Sequence, residues 1–470
     1  MAVPSAHPGK LMRTLLATLF MSGLLLSGAA TGADLAPDVT AKIDAAVTQA
    51  LAASGTPGAS IAVVRDGTIA YVHAYSQARR EPAVAATPAQ RFAIGSVSKQ
   101  FTAAAVMLLV EDGALSLDDT VGKFIPNLTD GDRITIRQVL SHTAGYRDFW
   151  PQDYVPAMME KPITADGIFD RWARVPLDFQ PGEAWQYSNT GFTIAARIVE
   201  KASGQPFFTF LTNRVLKPLG LDAADIDKGP LGPKDAAGYT RYALGEPRPA
   251  PKEAPGWLVG AAQLALTPQD LARWDIALMG QKLLKPESWR AMETSVRLNN
   301  GQDARYGLGL TVTSDGAARL LRHGGEVSGF LAENRVWPDL GMAIVVLVNS
   351  DYGDPAGIAQ KISALLPLAT QPSAEETATA RVFLEGLAHG HADATHLTAN
   401  GAAYFSPAAL ADYAATLGPL GAVTDLKPIA RRLRGGFTEE IYQARYASRG
   451  VRIVARADAG RYEQFLVYVD

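Results

Sequence analysis

The stretch FTAAAVMLLV at 101–110 is apolar on nearly every face of a helix, so a chain that contains it must wrap other elements around it on all sides. An apolar content of 47% over 470 residues is ample for such a core. Immediately before the stretch stands Ser96-Val97-Ser98-Lys99. A three-residue spacing brings Ser96 and Lys99 onto one helix face, with Ser96 near the positive end of the helix dipole. A lysine in apolar surroundings loses its solvation as an ammonium, and the free amine can then take a proton from a serine hydroxyl. The alternative is an N-cap serine beside a first-turn surface lysine. Because Ser-x-x-Lys arises by chance about once in a chain of this length, its weight depends on its companions.

The surrounding pattern is that of an α+β protein. Two β-rich runs, 59–64 and 69–73, flank Asp66-Gly67, a strong hairpin signal. Helical patterns and loops dominate 113–284, where Thr267, Pro268 and Asp270 supply an N-cap, a first-turn proline and an acidic third residue. Strands return over 308–349. An antiparallel sheet built from both ends, flanked by helices and with a helical region inserted between its halves, follows from that order. The segment 367–376, PLATQPSAEE, has linker composition. Beyond it, 377–470 reads as a small accessory α+β domain, with helices at 378–387 and 407–417 and strands at 436–446, 451–457 and 463–469.

Two further triplets follow Ser96 and Lys99 in order, Tyr187-Ser188-Asn189 and His323-Gly324-Gly325. With LSHTAG at 140–145, PGEAWQYSN at 181–189, GAAQLALTPQDLARW at 260–274 and YGLGL at 306–310, the chain resembles the serine hydrolases of the class C β-lactamase and D-Ala-D-Ala carboxypeptidase family, which are penicillin-binding-protein-like. The resemblance covers about 39–366 and implies a β-lactamase/transpeptidase-like fold over 34–366. It also implies that Ser96 is the acylated nucleophile and Lys99 its base, and that Tyr187 is a partner base with a phenol pKa lowered by a neighbouring ammonium. Asn189 would orient the substrate amide and Lys99. The backbone amides of Ser96 and Glu326 would receive the oxyanion, with Gly325 allowing close approach of a ligand.

The third triplet departs from the Lys-Thr-Gly usual in β-lactamases. His323 is mostly neutral at pH 7 and Gly324 has no side chain, so recognition of a substrate carboxylate is weakened. His-x-Gly occurs in this family in some D-Ala-D-Ala peptidases and in D-aminopeptidase-like members, and related esterases vary the position further. The resulting expectation is a serine hydrolase that cleaves an ester or amide, with a D-amino-acid-containing substrate as one option and little β-lactamase activity. The alternatives are a D-Ala-D-Ala carboxypeptidase or β-lactamase, and a slowly deacylating penicillin-binding sensor.

The formal charge of −3 is nearly balanced, which leaves no electrostatic case for nucleic acid. The absence of cysteine excludes a thiol nucleophile, thiolate metal sites, disulfides and a lipobox. Residues 1–33 read as a signal peptide: Lys10 and Arg13 precede an apolar run at 15–26 and the small residues SGAATGA, with cleavage between Ala30 and Ala33. Export to the periplasm or medium is therefore expected, with no stable membrane span after cleavage. The run falls short of the roughly 20 residues that a membrane anchor needs. No cofactor or metal is expected. His389, His391 and His396 read as an exposed polar connection, and His142 as a structural histidine beside the site, because no Gly-x-Ser-x-Gly elbow accompanies it. Tyr146, Trp150, Tyr154, Trp185 and Phe330 are candidates to shape the cleft or to fill the core. The expected partner is a small-molecule or peptide substrate, and the oligomeric state stays open.

Overall fold

The computed structural model describes residues 34–315, 318–366, 372–434 and 437–469; the signal-peptide reading at 1–33 and the first half of the 367–376 linker lie outside them. A seven-stranded antiparallel sheet organises the larger part. Its order is Val84–Ala85, Thr68–Arg79, Gly58–Arg65, Met342–Val348, Phe330–Trp337, Ala318–Val327, Thr311–Asp315, so the two ends of this part meet at the pairing of Gly58–Arg65 with Met342–Val348. The hairpin turns through Asp66 and Gly67, with φ of 51° and 70°, the left-handed pair that an Asp-Gly turn supplies.

Strand periodicity divides the central strands between two cores. Ala343, Val345 and Leu347 face one side, while Ile344, Val346 and Val348 face the other, and the unbroken apolar run MAIVVLV follows from burial on both faces. Helices Pro37–Ser54 and Pro355–Leu365 cover the second side. On the first side lies Ser98–Glu111, with every residue from Ser98 to Leu109 buried and Phe101 stacked on Trp274 at 4.2 Å. The helix Pro268–Met279 packs there too. It starts as its sequence indicates, with the Asp270 N–H donated to Thr267 Oγ1 at 3.1 Å.

The C-terminal region has its own core, built from helices Ala374–Ala388 and Pro407–Leu417 against the four-stranded sheet Asp425–Arg434, Phe437–Arg445, Gly450–Asp458, Arg461–Val469. Two sequence expectations change here. Ser373 and Glu376 form a capping box, so the helix begins at Ala374, inside the segment read as linker. The strand Asp425–Arg434 is not indicated by its sequence, because it carries Pro428 and several basic residues. It is an edge strand with a bulge between Pro428 and Ala430, the setting that tolerates both. This strand meets the turn Pro338–Leu340, and Arg431 bridges Glu376 at 3.0 Å and Asp66 at 4.0 Å. Those turns lie at the opposite end of the large sheet from Glu326, since the strand Phe330–Trp337 runs its full length between them.

Candidate active site

Ser96 stands in a tight turn, Gly95–Val97, that leads into the α-helix at Ser98. The turn lies against the end of the strand Ala318–Val327, and two glycines make the approach possible. Gly95 has φ of +50°, and a Cβ there would overlap the Glu326 backbone; a Cβ on Gly325 would overlap the Ile94 carbonyl oxygen. The turn that carries the Ser96 amide and the strand that carries the Glu326 amide are thereby brought into van der Waals contact. Gly325→Ala should force them apart and cut turnover by about 100-fold while leaving far-UV circular dichroism native; unchanged kcat/KM would count against this.

Lys99 is fully buried, and its Nζ has three neighbours: Ser96 Oγ at 2.9 Å, Asn189 Oδ1 at 2.7 Å and the Ala261 carbonyl at 3.0 Å. A neutral amine has two hydrogens and one lone pair. With the hydrogens donated to Asn189 and Ala261, the lone pair faces Ser96. Burial lowers the Lys99 pKa to about 7, against the opposing pull of the Asp148 carboxylate. The Ala261 carbonyl is held in place from the same helix, since Thr102 Oγ1 donates to Gly260 O at 2.6 Å and Ser98 Oγ accepts the Leu264 N–H at 3.1 Å. Asn189 opens the helix Asn189–Ser203, which Ser188 caps.

The Tyr187 hydroxyl interacts with Ser96, and its ring centroid lies 4.7 Å from Lys99 Nζ. Its phenol is not acidified as the sequence suggested. Burial raises its pKa instead, and the nearby Asp148 carboxylate adds to the rise. Tyr187 is therefore a neutral hydroxyl at pH 7, able to relay a proton but not to act as a standing phenolate. His142 grips both flanks of Tyr187: its carbonyl accepts the Gln186 N–H at 3.0 Å, its Nδ1 accepts the Ser188 N–H at 3.1 Å, and its ring lies 4.3 Å from that of Tyr187. It is neutral, since burial pushes its pKa well down, and it holds a left-handed backbone conformation with φ of 61°.

The cleft, of about 360 Å³, is lined by Ser96, Asp148, Trp150, Pro151, Gln152, Asp153, Gln186, Tyr187, Asn189, Ala262 and Glu326. His323 and Gly325 are not among them. His323 is buried behind the site, donating from Nδ1 to Gly324 O at 2.5 Å and accepting the Tyr306 hydroxyl at Nε2 over 2.9 Å. Burial pulls its pKa down to about 3, so it offers no cation. Of the five aromatic candidates only Trp150 lines the cleft. Tyr146 and Phe330 are core, Tyr154 is exposed, and Trp185 is half-exposed with its ring 5.8 Å from that of His142. His389 and His391 are exposed, and no group of three or more potential metal ligands occurs among the described residues. Asp148 is the residue that sequence reasoning missed. It lies three positions past Gly145 and accepts hydrogen bonds from Asn189 and Trp150, but no spacing ties it to Ser96 or Tyr187.

The fold and this constellation agree with what comparison shows: the chain belongs to the beta-lactamase family, whose profile matches residues 43–368. It is similar to a D-aminopeptidase of Gluconobacter oxydans, 27% identical over 74% of this chain and 66% of the relative. Among solved structures, a D-stereospecific amidohydrolase from Streptomyces is 25% identical with a TM-score of 0.59, over 67% of this chain and 97% of that one. An octameric penicillin-binding protein homologue from Pyrococcus abyssi, 22% identical, has the same fold over 92% of this chain and 96% of its own, with a TM-score of 0.60. The chain spans between 56% and 68% of the length of the curated relatives it matches. Among the described residues, no helix is long and apolar enough to cross a membrane.

Proposed function

We propose that this protein is an exported serine hydrolase that cleaves amides or esters of amino acids bearing a free amino group, D-amino acids among them, through an acyl-enzyme on Ser96. The observation that carries the reading is the charge of the cleft. Its lining includes the acids Asp148 and Asp153 and the carboxyl of Glu326, which is raised to about 7, with no lysine or arginine, and His323 is neutral. A penicillin or a D-Ala-D-Ala terminus presents a carboxylate, which this lining would repel. An amino-acid amide presents an ammonium, which it would attract. The resemblance to a D-aminopeptidase and to a D-stereospecific amidohydrolase supports the same substrate class.

In this mechanism the Lys99 amine takes the Ser96 proton as Oγ attacks the carbonyl carbon, and the Ser96 and Glu326 amides receive the oxyanion. Tyr187 passes the proton to the leaving amine or alkoxide, and in deacylation the same relay runs back through an incoming water. The test is a substrate panel assayed alongside intact-mass spectrometry of the secreted protein. D-alanine p-nitroanilide should be turned over at least about 100-fold more efficiently than nitrocefin, and the mature mass should correspond to cleavage between Ala30 and Ala33. Efficient nitrocefin turnover would overturn the substrate assignment. A lasting penicillin adduct without product release would point to a sensor, and an intact 1–33 segment would overturn cleavage.

A further inference from the structure

Ser96, Lys99, Asn189 and Asp148 form a continuous hydrogen-bonded chain along the cleft. Lys99 joins Ser96 to Asn189 Oδ1, and Asn189 turns its Nδ2 to Asp148, 3.1 Å from Oδ1 and 3.3 Å from Oδ2. The two carboxylate oxygens of Asp148 are unequal. Oδ1 also accepts the Asn189 N–H at 3.0 Å and the Trp150 N–H at 3.1 Å, whereas Oδ2 has only the long contact to Asn189. Every contact is an N–H donated to an oxygen, so none requires a protonated carboxyl. Asp148 itself lines the cleft beside Ser96 and Tyr187. Oδ1 thus fixes the side chain, while Oδ2 keeps acceptor capacity next to the nucleophile.

We infer that Asp148 is the specificity-determining residue of this site, with Oδ2 accepting a hydrogen bond from the α-ammonium of the substrate's acyl part. This rests on the amino-acid hydrolase reading above and narrows it: the acyl group must carry a free amine on the carbon next to the scissile carbonyl. That nitrogen lies two bonds from the carbon that Ser96 attacks, so one carboxylate at the cleft wall holds both the amine and the reacting centre in register. A short apolar acyl group has nothing to give Oδ2, and an N-acylated one offers only a neutral amide N–H in place of a charged ammonium. The inference covers the amine and not the hand of the substrate.

Asp148→Asn is the informative variant, because the amide oxygen can keep the Oδ1 contacts while the Oδ2 position becomes a donor that repels an ammonium. The measurement compares kcat/KM for D-alanine p-nitroanilide, N-acetyl-D-alanine p-nitroanilide and p-nitrophenyl acetate. The expected result is that the variant loses the wild-type preference for the free amine over its acetylated counterpart by about 30-fold or more, mostly in KM. Equal losses on all three substrates would overturn the inference and make Asp148 a support for Asn189 and Lys99 alone. Competition on the wild type keeps the question open to test should the variant misfold: D-alaninamide should inhibit ester turnover at a concentration at least tenfold below that of N-acetyl-D-alaninamide. Equal inhibition by the two would also overturn it. Ester turnover that depends on Ser96 but ignores the amine would leave the hydrolase standing and remove the anchor, whereas no turnover of any substrate would remove both.

Discussion

Ser96→Ala should abolish turnover of every substrate the protein accepts, by about 10⁴-fold or more, and should also abolish labelling by a fluorophosphonate. The size of the effect follows from the geometry. Ser96 Oγ is the hydroxyl that Lys99 Nζ faces at 2.9 Å and with which Tyr187 interacts, and it is the hydroxyl the two groups share. Loss of the side chain leaves the Lys99 amine with a lone pair and nothing to deprotonate except water. Intact-mass spectrometry reads the outcome directly: a single adduct on wild type and none on the variant. A variant that still forms the adduct, or keeps more than about 1% of the activity, would show that the reacting hydroxyl lies elsewhere.

The second large effect concerns Lys99. Replacement by methionine, which fills the same buried space without the amine, should lower kcat/KM by about 10³-fold. In the wild type, kcat/KM for p-nitrophenyl acetate, which has no amine of its own to titrate, should rise about tenfold per pH unit below pH 7 and level off above it, because the neutral amine is the working form and its pKa is about 7. Among the groups facing Lys99, His142 and His323 are already neutral, with their pKa values lowered by burial, and Tyr187 is raised. Asp148 is raised by burial as well, so a limb that Asp148→Asn abolishes belongs to Asp148. Glu326 at the cleft is the other competing assignment, since burial and the charges of Asp153 and Asp351 raise its carboxyl to about 7. A limb that persists in both variants belongs to Lys99, and one that disappears in Glu326→Gln belongs to Glu326.

Stability offers an independent reading of the same amine. From its ordinary value of 10.5 the Lys99 pKa falls to about 7 in the folded protein, so between those values the unfolded chain binds the extra proton. Unfolding free energy should therefore rise with pH across that window, and the wild type should gain on Lys99→Met as pH goes from 7 toward 10. Denaturant midpoints measured for both proteins at pH 7 and pH 9.5 check the sign. A gap that does not change would mean that Lys99 keeps an ordinary pKa.

The distance over which each feature communicates explains how much of this was legible in advance. The Asp66-Gly67 hairpin, the Thr267 cap and the buried helix after Ser98 are local, each set by a few neighbouring residues, and they stand where their sequences indicate. The strand Asp425–Arg434 is set by its neighbour in the sheet rather than by its own composition, and so it was missed. The helix at Ala374 was missed in part because a capping box inside a Pro- and Ser-containing segment resembles a linker until its two reciprocal hydrogen bonds are seen.

By itself the sequence determined the chemistry on offer: a serine and a lysine three positions apart at the mouth of a helix with no polar face, a tyrosine and an asparagine two apart, and a histidine-glycine strand in place of a lysine-threonine one. Periodicity and short spacing carry that information, because the geometry of one helical turn or one strand step is fixed by covalent structure. The electrostatic state of those groups was decided only when the chain closed. Burial turned Lys99 into a base, kept Tyr187 a phenol, silenced His323 and brought Asp148 to Asn189 from 41 positions away. Desolvation and charge act through space, and which carboxylate faces which amine is a property of the packed molecule that no local pattern contains.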